Sequence, residues 1–130
     1  VDAPGNDGRR ILVSDDSEEI RLLVRLAIES AGLGEVVGEA ADGDQTRRLV
    51  DELRPDLVVL DLLMPRFDGV ESLRRLHEQA PGLRVLVHSG SASPELAAEA
   101  RTAGAVGMVV KGAPLRELVE AVSSALDTPS

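Results

Sequence analysis

Four short apolar runs, each closed by polar residues, organise this chain: Ile11-Leu12-Val13, Leu57-Val58-Val59-Leu60, Val85-Leu86-Val87 and Met108-Val109-Val110. Runs of this length predict strands buried on both faces, the pattern of a parallel sheet. Glu35 to Ala40 is a weaker run and predicts a strand nearer an edge. Helical spacing fills the intervals. Ser17 to Ser30 predicts a helix with Ile20, Leu23, Val24, Ala27 and Ile28 inward. Ser17 can cap it, Glu18 and Glu19 suit its positive end, and Gly32 and Gly34 end it.

A second helix is predicted from Asp44 to Arg54 with Leu49, Val50 and Leu53 inward, ended by Pro55. A third runs from Gly69 to Ala80 and buries Val70, Leu73 and Leu76, before a Pro81-Gly82 turn and a strand from Arg84 to Val87. Ser93-Pro94-Glu95 is a helix start: cap, Pro at the first helical position, then an acid. The helix it opens is Ala-rich, with Leu96 as its one large anchor, and is expected to be the most loosely held. The last helix, Pro114 to Leu126, turns Leu115, Leu118, Val119, Val122 and Leu126 inward. Residues 1–9 and 127–130 read as tails around a single domain, 10–126. Strand and helix alternate five times, which predicts a doubly wound α/β fold around a five-stranded parallel sheet.

The polar residues that close the runs then acquire meaning. Asp15-Asp16, Asp61, Ser89 and Lys111 each follow an apolar run, so the topology collects them at the carboxyl edge of the sheet. Open α/β sheets bind ligands at that edge. Clustered carboxylates repel unless a cation joins them, and hard oxygen donors suit Mg²⁺. A rigidly held Asp61 can attack phosphorus to form an acyl phosphate. Lys111 can pair with a phosphoryl oxygen, and the Ser89 hydroxyl can donate to another.

Composition narrows the field. The 130 residues carry a net charge of −9, one Phe, no Tyr, no Trp and no Cys. The core must be aliphatic, and aromatic stacking on bases is unavailable. The acidic balance disfavours direct nucleic-acid binding, and the lack of Cys excludes disulfides and thiolate metal sites. Neither a membrane-spanning run nor a signal-peptide core is present, so a cytoplasmic location is expected. The chain opens on Val1, as expected of a processed or excised piece of something longer.

Ser14-Asp15-Asp16-Ser17, Leu60-Asp61-Leu62-Leu63-Met64-Pro65, Asp68-Gly69, His88-Ser89-Gly90 and Val110-Lys111-Gly112 stand in a fixed order and spacing. In that order the chain resembles the receiver domain of two-component response regulators, from about Arg10 to Leu126. The resemblance implies a flavodoxin-like (βα)5 fold with strand order 2-1-3-4-5, like the chemotaxis receiver. It implies Asp61 as the phosphoacceptor, charged by a sensor histidine kinase. Asp15, Asp16, Asp61 and the Leu63 carbonyl are implied as the Mg²⁺ ligands, with Mn²⁺ or Ca²⁺ as substitutes. Lys111, Ser89 and Gly90 are implied to contact the phosphoryl group and pass its arrival to the face made by the fourth helix, fifth strand and fifth helix. Autodephosphorylation is the most enzymatic activity implied.

Two positions depart from the pattern. Met108 stands where the family usually has an aromatic switch, and a flexible thioether can still move between packings. Gly112 replaces a frequent Pro, and Lys111 to Leu118 resembles receivers that precede a helix-turn-helix output domain. A homodimer is a further expectation.

Each motif alone has a plain reading: Asp15-Asp16 a solvated turn, Asp61 a strand exit, Ser89 a turn residue, Lys111 a surface charge. Their joint placement at strand ends favours the functional reading. His88 beside Ser89 does not make a triad, because strand neighbours point to opposite faces. His88 is expected partly buried, His77 on a helix surface, and Phe67 in local loop packing or at a partner contact. Gly32, Gly34 and Gly38 precede a strand, the reverse of a dinucleotide loop. Two other functions compete: a receiver-like module working unphosphorylated, and a haloacid-dehalogenase-type phosphohydrolase. The latter wants a second Asp where Leu63 stands.

Overall fold

The computed structural model describes residues 8–91 and 93–128, so the ends of both expected tails lie outside the described residues. The elements are β1 (Arg10–Ser14), α1 (Glu18–Ser30), β2 (Glu35–Ala40), α2 (Gly43–Leu53), β3 (Leu57–Leu60), α3 (Gly69–Gln79), β4 (Arg84–Ser89), α4 (Pro94–Thr102), β5 (Gly107–Val110) and α5 (Leu115–Asp127). All strand pairs are parallel, in the order β2-β1-β3-β4-β5. The expected flavodoxin-like order is therefore the observed one, with β2 at an edge.

Strand alternation divides the core into two layers. Leu12, Val58, Leu60, Val85 and Val87 pack against Val50, Leu73, Leu76 and Ala100 of α2, α3 and α4. Ile11, Val13, Leu57, Val59 and Leu86 pack on the other face with Val24, Ile28, Leu118 and Val122 of α1 and α5. Burial on both faces is why the strands read as continuous apolar runs.

Local signals set the helix ends. Ser17 accepts the Ile20 N–H and caps α1, Gly32 follows its end at a φ of 68°, and Ser93 accepts the Leu96 N–H to cap α4 behind Pro94. Only Ala100 of α4 is fully buried, in keeping with a loosely held helix.

Several expectations need correction. Leu23 is 44% exposed and Leu115 47%, because each lies just off its helix's buried stripe. The second helix opens one residue earlier, at Gly43, capped by the Asp42 carboxylate, and Arg54 ends it in a left-handed conformation. The third ends at Gln79, with Ala80 as its cap. The fourth strand runs on to Ser89. Phe67 is buried in the core rather than confined to loop packing. The His77 ring packs over Gly104, where a Cβ would lie 2.6 Å from its Cγ, and its Nδ1 is buried without a hydrogen bond. No described helix is long and apolar enough to cross a membrane.

Candidate functional site

Strand register assembles the acidic cluster. Ser14 lies opposite Leu60, so the next residues on each strand, Asp15 and Asp61, emerge side by side. The Asp61 N–H donates to the Ser14 carbonyl at 2.9 Å, and the Asp15 N–H to that of Ala40 at 2.9 Å. Both backbones are thus fixed before their side chains turn upward. Asp15 is 2% exposed and Asp61 3%, while Asp16, one residue further from β1, is open to solvent. Carboxylate oxygens of Asp15, Asp16 and Asp61 all lie within 4.8 Å of one another.

Lys111 closes the cluster from β5. Its N–H donates to the Ser89 carbonyl at 2.7 Å, which sets it just past the end of the ladder. Its Nζ donates to Asp61 Oδ2 at 3.1 Å and lies 2.7 Å from Asp15 Oδ2. The Asp15 contact is a close ion pair, and Asp15 Oδ2 has no other partner among the described residues. The other oxygens are engaged: Asp15 Oδ1 by the Ser17 N–H at 2.9 Å, Asp61 Oδ1 by the Leu63 N–H at 3.0 Å.

One ammonium faces three carboxylates here. Burial pushes the Asp61 carboxyl above its ordinary value, against the opposing pull of the Leu63 N–H and Lys111. Burial also works against the Lys111 ammonium, but Asp15 and Asp61 outweigh it and hold its pKa above the usual lysine value. Three clustered carboxylates with a single ammonium among them fit a small divalent cation, and the donor set matches Mg²⁺ better than a softer metal.

The remaining expected residues lie on β4, β5 and the loops that follow β3 and β4. Ser89 is 2% exposed at the last position of β4, and its Oγ accepts the Ser91 N–H at 3.2 Å. Gly90 is exposed, with open space where a side chain would stand. Leu63 is 75% exposed. Met108 is partly buried and shares a cleft with Ala97, Ala100 and Arg101 of α4.

One neighbour, Arg21, was not singled out from the sequence. Arg21 donates from Nη1 to the Asp15 carbonyl at 2.8 Å while its Nε pairs with Glu39 at 2.9 Å. No local motif announces this, because the contact joins α1 to the ends of β1 and β2. His88 is 5% exposed, deeper than expected, and burial, reinforced by Lys111, lowers its pKa against the pull of Asp15.

A family model described as the response regulator receiver domain matches residues 11–123. The chain belongs to this family. Among its relatives, the chemotaxis protein CheY of Thermotoga maritima is 32% identical over 116 residues, covering 89% of this chain and 96% of that one. Response regulator GacA of Pseudomonas aeruginosa is 35% identical over 114 residues, which cover 87% of this chain but 53% of GacA. The chain thus spans about half the length of such regulators. The signal receiver domain of the putative response regulator NarL from Mycobacterium tuberculosis superposes with a TM-score of 0.84 at 32% identity, covering 92% of this chain and 96% of that one. Receiver domains are signalling domains that work with histidine kinases and output domains and bind Mg²⁺ in an acidic pocket. The cluster of Asp15, Asp16 and Asp61 is such a pocket in composition.

Proposed function

We propose that this receiver accepts a phosphoryl group on Asp61 in a Mg²⁺-dependent reaction and thereby switches an output surface. The observation that carries the reading is the buried Asp61 carboxylate, held beside Asp15 and Asp16 with Lys111 Nζ at 3.1 Å. A sensor histidine kinase is the donor. An Asp61 oxygen attacks phosphorus, the new O–P bond forms as the P–N bond of the phosphohistidine breaks, and the departing imidazole nitrogen keeps the electron pair and takes up a proton.

Asp15, Asp16, Asp61 and the Leu63 carbonyl would hold Mg²⁺, which supplies positive charge against the carboxylates and the incoming phosphoryl oxygens. Asp61 Oδ1, already bonded to the Leu63 N–H, and Oδ2, bonded to Lys111, have their charge and orientation set before the donor arrives. Lys111 then exchanges part of its carboxylate pairing for a phosphoryl oxygen. Ser89 and Gly90 sit at the end of β4, where the hydroxyl can turn toward that oxygen and draw Gly90 and Ser91 after it. α4 is the element such a pull would move, since Ala100 is its one fully buried residue. Met108, partly buried against α4, takes the place of the aromatic relay. The output is the α4–β5–α5 face of a domain spanning residues 10–126. It acts in the cytoplasm, through a transcriptional output domain in a longer protein and a homodimer of receivers. Hydrolysis of the aspartyl phosphate returns the domain to rest.

The test is intact mass after incubation with Mg²⁺ and a small acyl phosphate. One phosphoryl group should be gained, lost on removing Mg²⁺ and absent from Asp61→Asn. No gain, or a gain that survives Asp61→Asn, overturns the reading.

A further inference from the structure

The loop that follows Asp61 is pressed against the first turn of α2. The Gly43 N–H donates to the Pro65 carbonyl at 2.8 Å. The approach is so close that a Cβ on Gly43 would lie 1.8 Å from the Arg66 carbonyl oxygen and 2.5 Å from its carbon. Arg47 Nη2 donates to the same Arg66 oxygen at 3.3 Å. Asp44 pairs with Arg47 at 2.5 Å and with Arg66 at 3.5 Å. Arg66 is held at a φ of 58°, a left-handed conformation that a non-glycine residue adopts only when its surroundings impose it.

The turn behind this contact is stiff. Asp42 Oδ1 accepts the Gln45 N–H at 2.8 Å, and Gln45 Oε1 accepts the N–H of Ala41, the residue before the cap, at 2.8 Å. Thr46 Oγ1 lies 3.1 Å from the hydroxyl of Ser14, the residue before Asp15. The first turn of α2 therefore touches the supports of both Asp15 and the loop after Asp61.

We propose that Gly43, backed by Asp44 and Arg47, is a positioning residue for the cation site: it seats the 62–66 loop so that the Leu63 peptide faces the acidic cluster. The proposal rests on the Mg²⁺ reading above. Leu63 is tied to Asp61 Oδ1 through its N–H at 3.0 Å, and Pro65 is two residues on. A shift of Pro65 and Arg66 has little chain over which to dissipate before it turns the Leu63 carbonyl. The opposing atoms are backbone, so no flexible side chain can yield to a Cβ at position 43.

Calorimetric titration of Mg²⁺ into the wild type, Asp16→Asn, Gly43→Ala and Arg47→Ala tests this, together with exchange of the Leu63 amide in metal-free protein. Gly43→Ala should weaken Mg²⁺ binding by about 10-fold or more, the usual cost of losing an outer support of a metal site. It should also speed Leu63 exchange, and excess Mg²⁺ should restore phosphoryl uptake. Arg47→Ala should act in the same direction by a smaller factor. A folded Gly43→Ala protein that binds Mg²⁺ like the wild type overturns the proposal, as does a loss of uptake that excess Mg²⁺ does not restore. If Gly43→Ala does not fold, Arg47→Ala decides, and unchanged affinity with unchanged exchange overturns it. Loss of binding in Asp16→Asn beside wild-type binding in Gly43→Ala defeats this inference alone. A wild type that binds no Mg²⁺ defeats the underlying reading and the inference with it.

Discussion

The two ends of the sheet treat charge in opposite ways. At the carboxyl end, Asp15 and Asp61 are buried with one ammonium between them, and Asp16 adds a third carboxylate. At the opposite end, basic side chains finish helices and join strands. Arg10 Nη2 donates to the Leu53 carbonyl at the end of α2 at 2.6 Å, and Arg9 Nη1 donates to the Leu126 carbonyl in the last turn of α5 at 3.1 Å. Arg84 Nε donates to the Thr128 carbonyl at 2.5 Å, and the Arg10 N–H donates to Asp56 Oδ2 at 2.8 Å. Cations at helix carboxyl ends meet both the macrodipole and the unpaired carbonyls. One end of the molecule thus lowers the free energy of the fold, and the other holds uncompensated charge in readiness for a ligand.

The largest effect expected from breaking this contrast is on metal binding. Asp16→Ala removes a hard donor from an already under-neutralised cluster and should weaken Mg²⁺ binding by about 100-fold by calorimetry, within the range for metal-site residues. Its urea midpoint should hardly move, because Asp16 is exposed. At the other end the pattern should invert. Asp56→Ala leaves the Arg10 N–H without its acceptor and should cost about 1 kcal/mol in urea unfolding, the usual worth of one hydrogen bond. Its Mg²⁺ affinity should equal that of the wild type.

A smaller effect, of opposite sign, is expected at the phosphoacceptor. Asp61 has a raised carboxyl pKa in the folded chain. The native state therefore holds this proton at pH values where the unfolded chain has released it, and native stability falls as pH rises from the ordinary carboxylate value through the raised one. Asp61→Asn removes that titration. The variant should melt above the wild type at pH 7. The difference should shrink to nothing as pH falls below about 4, the ordinary aspartate value, where both chains are neutral at this position. Saturating Mg²⁺ should stabilise the wild type alone and erase the gap at pH 7, since binding to the native state adds stability by mass action. A variant less stable than the wild type at pH 7 would place Asp61 among the groups that hold the fold together.

These contrasts also separate what the chain declares locally from what it does not. The strands were legible because burial on both faces leaves no room for polar alternation. The caps at Ser17 and Ser93 were legible because a cap bonds within three residues. The acidic cluster was legible because each member follows its own strand, so topology alone brings Asp15, Asp61 and Lys111 together. Contacts between distant segments were not legible. Nothing around Asp42-Gly43 announces the contact with Pro65 and Arg66, and nothing around Arg21 announces the Asp15 carbonyl. His77 and Phe67 sit among neighbours supplied by other elements, so their depth could not be read from their own surroundings.

The smallest effect is expected where neither end of the sheet is involved. Val24 and Ile28 of α1 are fully buried, whereas Leu22 is 54% exposed, Leu23 44% and Leu26 54%. An apolar residue at helical spacing suggested that Leu23 belonged to the buried stripe, but at about 100° per residue it stands one step round from Val24 and faces outward. Arg21 and Arg25 pin the same helix to Glu39 at 2.9 and 2.6 Å, so α1 does not depend on Leu23 for its seat. Leu23→Gln should therefore change the unfolding free energy by less than about 0.5 kcal/mol, the range of surface substitutions away from special features. Urea unfolding with an unchanged slope and unchanged Mg²⁺ affinity would confirm that the contrast between the two ends is not a general softness of the chain. A loss of more than about 1 kcal/mol would show that α1 is seated through its outer leucines in solution, a cost typical of disturbed burial rather than of a surface change.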